Sequence, residues 1–370
     1  MSQKRVAIAC QGGGSQCAFV AGALKALFSQ GVQHSHRIVG LSGTSGGAIT
    51  AALAWFGLLK QAQGDPTPVE ERVIAFWDEL SAQKPIERFV DQFGIQVVRL
   101  IESGMLPTLA TSPASLRFRA WSKLTALLIG RAEFTDLEAI VRKHLDLTQT
   151  SSLVEEDSPV LLLGAADVCE GTFKIFSSAH DEISIPSLLA SAAIPNLFPA
   201  VNVNGHAYWD GIFSSNPPVA AFLQQAAMGG HALPQEIWVV QVNQTKHGFV
   251  PERPSDITDR RNELAGNLSL HHELQLIEIV NQLILQHALT PVVRARLQVD
   301  AAEPIAVRFI RMSKELGESL DYPSKLSRHP THIRNLIQDG ERQASAFLAE
   351  LSGARSPAES AGHEEHGSVH

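Results

Sequence analysis

The sequence of residues 38–59 is IVGLSGTSGGAITAALAWFGLL, and this stretch decides the fold. Its apolar beginning predicts a buried strand over Arg37–Ser42, and its nearly all-apolar end predicts a helix over Ala48–Leu59 that packs against a sheet. The pentapeptide Gly43–Gly47 lies between them and has the pattern G-x-S-x-G. This is the context of a nucleophile elbow, in which a serine occupies a sharp turn from strand to helix.

The chemistry of this turn favours Ser45 as a nucleophile. Glycine at positions 43 and 47 lets the backbone turn tightly and lets a substrate approach the serine. The helix that follows directs its dipole and its free N-terminal amides toward charge that develops near Ser45. The plainer interpretation, a glycine-rich turn without chemistry, is disfavoured because a strand precedes the motif and a helix follows it.

A second glycine cluster, Gln11–Gly14, follows the short apolar run Val6–Ala9 and precedes a helical pattern over Ala18–Ser29. Consecutive glycines expose backbone N–H groups that bind anions. A dinucleotide is one candidate ligand, but Cys17 replaces the last glycine of the G-x-G-x-x-G fingerprint, and no acidic residue ends the next strand. The oxyanion of a tetrahedral acyl intermediate is the favoured ligand, and such donors are worth about 10²–10³ in rate.

A candidate for the base is Asp210. The pair Asp210-Gly211 follows the short apolar run Ala207–Trp209 and precedes Asn216-Pro217-Pro218, which predicts a carboxylate in a tight turn. A carboxylate with the ordinary pKa of about 3.9 is a poor base for a serine hydroxyl. Burial beside neighbours such as Ile212 would raise that pKa and improve the base.

A Ser-His-Asp triad is the main alternative among hydrolases, since the chain has 15 histidines. None of them has a distinctive setting in the sequence, including His206, His231, His247, His271 and His272. A lone histidine is usually structural or solvated, so a conventional triad is disfavoured.

These elements, in this order, resemble the patatin-like phospholipases (patatin-like lipid acyl hydrolases), in particular bacterial members with a C-terminal extension. The stretch Ala190–Pro199 is also similar to the segment that precedes the family's catalytic aspartate. The likeness covers roughly residues 5–245, and the ordered pattern is more specific than any one motif. It implies a three-layer α/β fold with a mainly parallel central sheet flanked by helices, which the alternation of strand and helix patterns also favours.

The resemblance also implies roles for individual residues. Ser45 would be the nucleophile and Asp210 the base of a Ser-Asp dyad. Gly12, Gly13 and Gly14 would form the oxyanion hole. Gly43 and Gly47 would shape the nucleophile elbow, and Gly211 would shape the aspartate turn. The implied reaction is two-step acyl transfer without a metal or cofactor. Its preferred substrate is a lysophospholipid or another single-chain ester, followed by an acylglycerol or a hydrophobic polyester.

Three positions depart from the family pattern. In the glycine loop, Gln16 replaces the usual Arg or Lys of the family and Cys17 replaces the usual Gly. After Asp210-Gly211, Ile212 occupies a position where the family often has a small residue. The missing positive charge is expected to weaken anion binding or to change the head-group preference. The changes at positions 16 and 17 support a second class of function, a non-catalytic lipid- or acyl-binding regulator that has kept the fold.

The chain is expected to have a catalytic core followed by an extension. Residues 1–250 would form the core, including a helical lid or groove insertion at about 64–150. Residues 251–350 would form a helical extension packed on this core, with a late strand at about 305–311. Residues 352–370 are polar and are expected to be disordered.

Composition limits the partners of this 370-residue chain. The formal net charge of −8 argues against nucleic acid and against electrostatic docking on anionic membranes, so any lipid contact should be apolar, transient and peripheral. No run of 18 apolar residues predicts a transmembrane helix, and the cytoplasm is the expected compartment. Cys10, Cys17 and Cys169 fit neither a disulfide framework nor a zinc site. The oligomeric state is left open.

Overall fold

The computed structural model describes residues 3–106, 115, 120, 123, 129–195, 197–248, 250–293 and 303–353. Within this part of the chain, eight strands form one sheet. They are β1 (Lys4–Cys10), β2 (His36–Gly43), β3 (Val160–Asp167), β4 (Thr172–Ser177), β5 (Val201–Val203), β6 (His206–Asp210), β7 (Glu236–Gln241) and β8 (Ala306–Arg311).

The α-helices of the described residues precede, separate and follow these strands. They are α1 (Ala18–Ser29), α2 (Val32–Ser35), α3 (Gly46–Ala62), α4 (Val69–Leu80), α5 (Pro85–Glu102), α6 (Ala132–Thr135), α7 (Leu137–His144), α8 (Thr150–Leu153), α9 (Ile185–Ser191), α10 (Gln225–Met228), α11 (Pro254–Leu285), α12 (Lys314–Glu318) and α13 (Pro330–Leu351). Short 3₁₀ turns occupy Gly14–Cys17, Leu147–Gln149, Gly211–Phe213, Ala220–Leu223 and Pro323–Leu326.

The sheet is the middle of three layers. Successive side chains of a strand point to opposite faces, and in β1 Val6 and Ile8 join one hydrophobic cluster while Ala7 and Ala9 join another. Helices α1, α3, α4 and α13 contribute to the first cluster, and α11 and the turn at 220–223 contribute to the second. The apolar run of β1 is buried because both faces are covered. The predicted three-layer α/β fold is confirmed.

Five strands of the sheet are parallel, in the order β3-β2-β1-β7-β8. Strands β4 and β6 pair antiparallel with β3, and β5 pairs antiparallel with β6. The sheet is therefore mainly parallel, as predicted, with an antiparallel border on the side of β3. The glycine loop follows β1 and the G-x-S-x-G turn follows β2, so both lie at the carboxyl edge of the parallel strands, where α/β proteins bind ligands.

The strand register explains how Asp210 reaches this edge. Strand β2 pairs with residues 160–163 of β3, and β6 pairs with residues 165–167. Strand β4 pairs with residues 162–167 of β3, a range that overlaps the residues paired with β2 and those paired with β6. Each edge of a strand can pair with one neighbour at a given position, so β4 uses one edge of β3 while β2 and β6 share the other. Strand β6 therefore lies end to end with β2 along this edge and runs in the opposite direction. Its last residue, Asp210, consequently lies next to the turn that follows β2.

The C-terminal elements are part of the same packed body. Strand β8 pairs with β7, and α13 crosses α1 at a contact between two glycines. A Cβ atom added to Gly22 would lie 2.0 Å from the carbonyl oxygen of Ile337, and one added to Gly340 would lie 2.1 Å from that of Phe19. Only glycine permits the two helix backbones to come this close.

The structure differs from the sequence-based expectations in the segment after Asp210. The sequence predicts a helix over Pro217–Met228, with proline where the start of a helix tolerates it, but the chain forms a 3₁₀ turn at Ala220–Leu223 and one helical turn at Gln225–Met228. The carboxylate of Glu273 on α11 explains the early turn, because it accepts bonds from the amides of Val219 and Ala220 at 3.1 and 2.6 Å.

Two further expectations fall partly on residues outside the described ranges. These residues are most of 107–128 in the lid or groove insertion and the polar tail beyond residue 353. In the first half of the insertion, α5 carries the exposed side chains of Phe89 and Phe93. None of the helices in the described ranges combines the length and the apolar character needed to cross a bilayer.

Candidate active site

Ser45 occupies a strained turn between β2 and α3. Its φ of 58° and ψ of −134° are unusual for a residue with a side chain, and such strain is kept where the surrounding structure enforces it, often at functional sites. A Cβ atom at Gly43 would lie 2.5 Å from the carbonyl oxygen of Gly47, and one at Gly47 would lie 2.4 Å from that of Cys10. The two flanking glycines are therefore required for the close packing of this elbow.

The amide of Ser45 is anchored to α9. It donates to the carbonyl oxygen of Ser191 at 2.9 Å, and the Ser191 hydroxyl donates to the carbonyl oxygen of Gly164 at 2.6 Å. These bonds join the elbow to β3. The Ser45 hydroxyl makes no capping bond to α3. Only 3% of Ser45 is exposed, so the serine itself is buried.

Asp210 is fully buried at the end of β6. Its Oδ1 accepts a bond from the amide of Ile212 at 2.9 Å, and its Oδ2 has no hydrogen-bond partner among the described residues. Burial raises the pKa of Asp210 to about 7, although the Ser45 hydroxyl and the Ile212 amide act in the opposite direction. A Cβ atom at Gly211 would lie 2.5 Å from the carbonyl oxygen of Gly164, so glycine is needed in this turn.

Ser45 and Asp210 are neighbours in space although 165 positions separate them in the sequence. The Ser45 hydroxyl is close enough to Asp210 to lower the pKa of the carboxyl, yet Oδ2 does not meet the distance and angle of a regular hydrogen bond. The two groups are therefore adjacent without a regular hydrogen bond between them. Bonds between a nucleophile and its base often tighten only when the substrate is bound.

The histidines lie elsewhere. His206 begins β6, four residues or about 13 Å of strand from Asp210, and its Nδ1 contacts Asp167 at 2.9 Å. His231 is influenced by Arg37, which belongs to the opposite end of β2, and His247 pairs with Glu263 at 3.9 Å. His271 and His272 are exposed on α11. In the part of the chain that the structure describes, no histidine is hydrogen-bonded to Ser45.

The glycine loop packs directly against the elbow. A Cβ atom at Gly12 would lie 2.8 Å from the Cβ of Ser45. The amide of Gly12 donates to Oδ1 of Asn216 at 2.6 Å, so this N–H already has an acceptor in the structure. The amides of Gly13 and Gly14 have no oxygen acceptor among the described residues, and Gly14 has a φ of 58° that favours glycine.

Cys17 lines this loop as a neutral thiol. Burial raises the pKa of Cys17 to about 12, although the nearby amides of Gly13 and Gly47 act to lower it. The thiol therefore stays protonated at neutral pH, and its sulfur donates to the carbonyl oxygen of Gln11 at 3.4 Å. The side chain of Gln16 points to another element, because its Nε2 donates to the Ser324 hydroxyl at 2.9 Å.

The state of the cysteines leads to a prediction for thiol reagents. Cys169 is exposed, whereas Cys10 and Cys17 are fully buried, and burial raises the pKa of both thiols. We expect iodoacetamide to modify Cys169 alone in the folded protein, as measured by peptide mapping. All three cysteines should react after denaturation. Labelling of Cys10 or Cys17 in the folded protein would contradict this expectation.

Several residues that hold the site have no signal of their own in the sequence. Asn216 follows the aspartate turn and was visible only as part of that turn. Asn243, Glu273 and Lys325 contact the site from the loop after β7, from α11 and from the 3₁₀ turn at 323–326. Within the described ranges, no group of three or more His, Cys, Asp or Glu side chains is placed to hold a metal ion.

A strained serine at a strand-to-helix elbow, next to a buried aspartate and a glycine loop, defines a nucleophile-elbow protein with a three-layer α/β fold. The family model described as Patatin-like phospholipase matches residues 8–223, and the chain belongs to this family. The resemblance inferred from the motifs is thereby confirmed. Among curated proteins, no match was found.

Two solved structures are similar to this chain. One is human GIVD cytosolic phospholipase A2 in complex with methyl gamma-linolenyl fluorophosphonate, with 14% identity and a TM-score of 0.44. The other is ExoU in complex with SpcU from Pseudomonas aeruginosa, with 15% identity and a TM-score of 0.24. The matches cover 95% of this chain in both cases, but only 59% and 60% of those two chains. This chain thus spans about three-fifths of their length.

Proposed function

We propose that this protein is a serine lipid acyl hydrolase that uses Ser45 and Asp210 as a catalytic dyad. Asp210 accepts the hydroxyl proton as the Ser45 oxygen attacks the ester carbonyl. The tetrahedral intermediate collapses, the bond to the alcohol breaks, and Asp210 returns the proton to the leaving oxygen. Water then attacks the acyl-enzyme, gives a proton to Asp210, and releases the fatty acid as Ser45 regains its proton.

The observation that carries this proposal is the state of Asp210 beside the strained serine. A base is most effective when its pKa lies near the working pH, and burial raises the pKa of Asp210 to about 7. Its unpartnered Oδ2 leaves one carboxylate oxygen available to accept the serine proton. The amides of Gly13 and Gly14 are our proposed oxyanion donors.

Membership of the patatin-like phospholipase family supports a lipid ester as substrate. Within that class we favour a lysophospholipid or another single-chain ester. The net charge of −8 gives no attraction to anionic lipid, so we expect only transient and peripheral contact with a membrane. A Ser-His-Asp esterase is disfavoured because no described histidine is hydrogen-bonded to Ser45, which leaves the non-catalytic acyl-binding protein as the main alternative.

The decisive experiment combines covalent labelling with turnover. The purified protein is treated with an alkyl fluorophosphonate, the modified residue is located by peptide mapping, and hydrolysis of p-nitrophenyl butyrate and of a lysophospholipid is measured. We expect stoichiometric labelling of Ser45 together with turnover of at least one substrate. Absence of both labelling and turnover would favour the acyl-binding alternative.

The pKa of Asp210 predicts the pH dependence of turnover. The carboxyl must be ionised to accept a proton, so activity is present above a pH of about 7 and is lost as the pH falls through that value. With p-nitrophenyl butyrate, which does not ionise in this range, kcat/KM should fall about tenfold per pH unit below the pKa. A profile that stays flat from pH 5 to pH 8 would contradict a base with a pKa near 7.

A further inference from the structure

One peptide group joins the polar network of the protein to the proposed oxyanion hole. The carbonyl of Gly12 and the amide N–H of Gly13 belong to the same planar peptide, so a bond to one end fixes the direction of the other. The side-chain amides of Asn216 and Asn243 each donate to the Gly12 carbonyl oxygen, at 3.4 Å in both cases. The direction of the Gly13 N–H is therefore controlled from the opposite side of its peptide.

Asn243 is itself oriented by a buried lysine. The Nζ of Lys325 donates to Oδ1 of Asn243 at 2.8 Å. Because a lysine ammonium can only donate, Oδ1 must face Lys325, and Nδ2 must then face Gly12. The backbone amide of Asn243 donates to Oε1 of Gln11 at 2.9 Å, so the residue is held at both its main chain and its side chain.

The backbone of Lys325 also contacts the glycine loop. A Cβ atom at Gly14 would lie 2.3 Å from the carbonyl oxygen of Lys325, so the 3₁₀ turn that carries the lysine touches the loop. Burial lowers the pKa of Lys325, while Glu263, Cys17 and Asp259 act to raise it. The two carboxylates belong to α11, and this helix thereby favours the charged lysine behind the loop.

We propose that Lys325 and Asn243 are positioning residues, which aim and polarise the Gly12–Gly13 peptide so that the Gly13 N–H stabilises the oxyanion. The inference rests on the proposed function. Hydrogen bonds in a chain strengthen one another, so an ammonium at one end increases the donor strength of the N–H at the other. The loop lacks a cation of its own because position 16 is glutamine, and the lysine reaches the same loop from 309 positions beyond it in the sequence.

The test uses Asn243→Asp and Lys325→Met. Aspartate keeps an oxygen for the Lys325 ammonium, so the buried charge stays paired, but it cannot donate to the Gly12 carbonyl. Methionine fills the volume of the lysine and removes the donor to Asn243. Since a whole oxyanion donor is worth about 10²–10³ in rate, we expect each variant to lower kcat by about 10–100-fold while KM changes less than about twofold.

A second readout separates positioning from general damage to the structure. The rate of Ser45 labelling by the fluorophosphonate should fall by the same factor as kcat, because both reactions place charge in the oxyanion hole. Lys314→Met is the matched control, since Lys314 is 81% exposed and pairs only loosely with Glu318 at 3.9 Å. This variant should keep the wild-type kcat. Thermal unfolding of each variant establishes that it is folded.

The outcomes distinguish this inference from the proposed function. If the wild type hydrolyses esters through Ser45 but either Asn243→Asp or Lys325→Met keeps the wild-type kcat, the positioning role is overturned and the hydrolase remains. If a rise in KM accounts for the loss, the residues act on substrate binding and the inference is likewise wrong. If the wild type neither turns over nor reacts with the fluorophosphonate, both proposals fail together.

Discussion

Ser45→Ala is expected to abolish ester turnover, lowering kcat by about 10⁴–10⁶-fold, as removal of a nucleophile does in other serine hydrolases. The reason is local, because alanine removes the hydroxyl and leaves no other group to attack the carbonyl. The fold should persist. Alanine has the same Cβ as serine, so the strain at a φ of 58° is unchanged, and the serine hydroxyl makes no capping bond that the helix would lose.

The matched control for this variant is Ser42→Ala. Ser42 lies three residues earlier on β2, is fully buried, and its hydroxyl has no hydrogen-bond partner among the described residues. Its removal takes away an unsatisfied buried polar group and is expected to leave kcat unchanged. Turnover is measured with p-nitrophenyl butyrate and a lysophospholipid, and folding by circular dichroism. If Ser45→Ala keeps the wild-type rate, the nucleophile is elsewhere and the dyad is refuted.

The elbow was predictable from sequence because the residues that form it are consecutive in the chain. The glycines that permit close packing lie within two residues of Ser45, and the strand and helix that frame the turn are adjacent in the chain. The position of Asp210 next to Ser45 depends instead on contacts between distant segments. It depends on β2 and β6 sharing one edge of β3, and no periodicity within either strand encodes that register. Only the resemblance to a family supplied it.

The polar supports of the site were not predictable, and the reason is again physical. Asn243 and Lys325 reach the glycine loop through contacts between distant segments, and neither stands in a local pattern that demands its side chain. The same limit produced the wrong helix at Pro217–Met228. Local spacing favoured a helix there, but Glu273 of α11 binds the first amides and stabilises a tighter turn. Contacts of this kind override local preference.

Asp210→Asn is expected to lower kcat by about 10³–10⁴-fold, comparable to the loss of a well-placed general base. Asparagine has nearly the same shape and keeps an oxygen for the amide of Ile212, which Oδ1 binds at 2.9 Å. It does not accept a proton at neutral pH, so the serine hydroxyl loses its base. Turnover and fluorophosphonate labelling of Ser45 should fall together, because both need that proton to be removed.

The same variant should be more stable than the wild type above neutral pH. Burial raises the pKa of Asp210 from 3.8 in the unfolded chain to about 7 in the folded protein, so ionisation destabilises the fold. Stability from this group is fully present below pH 3.8 and is lost as the pH rises through about 7. Asparagine avoids the loss, and the free energy of unfolding at pH 8 should rise by at most about 4 kcal/mol.

Asp167→Asn is the control with the opposite sign. Hydrogen bonds from the Glu170 amide, from His206 and from the Cys169 amide lower the pKa of Asp167, so its ionised form stabilises the fold at neutral pH. This variant should therefore be less stable than the wild type at pH 8 while keeping its kcat. We expect Asp210→Asn to be more stable but inactive, and Asp167→Asn to be less stable but active. This pair of results would show that the Asp210 carboxylate serves catalysis although it destabilises the fold. If Asp210→Asn instead keeps its kcat and loses stability, Asp210 is a structural residue and the base must be sought elsewhere.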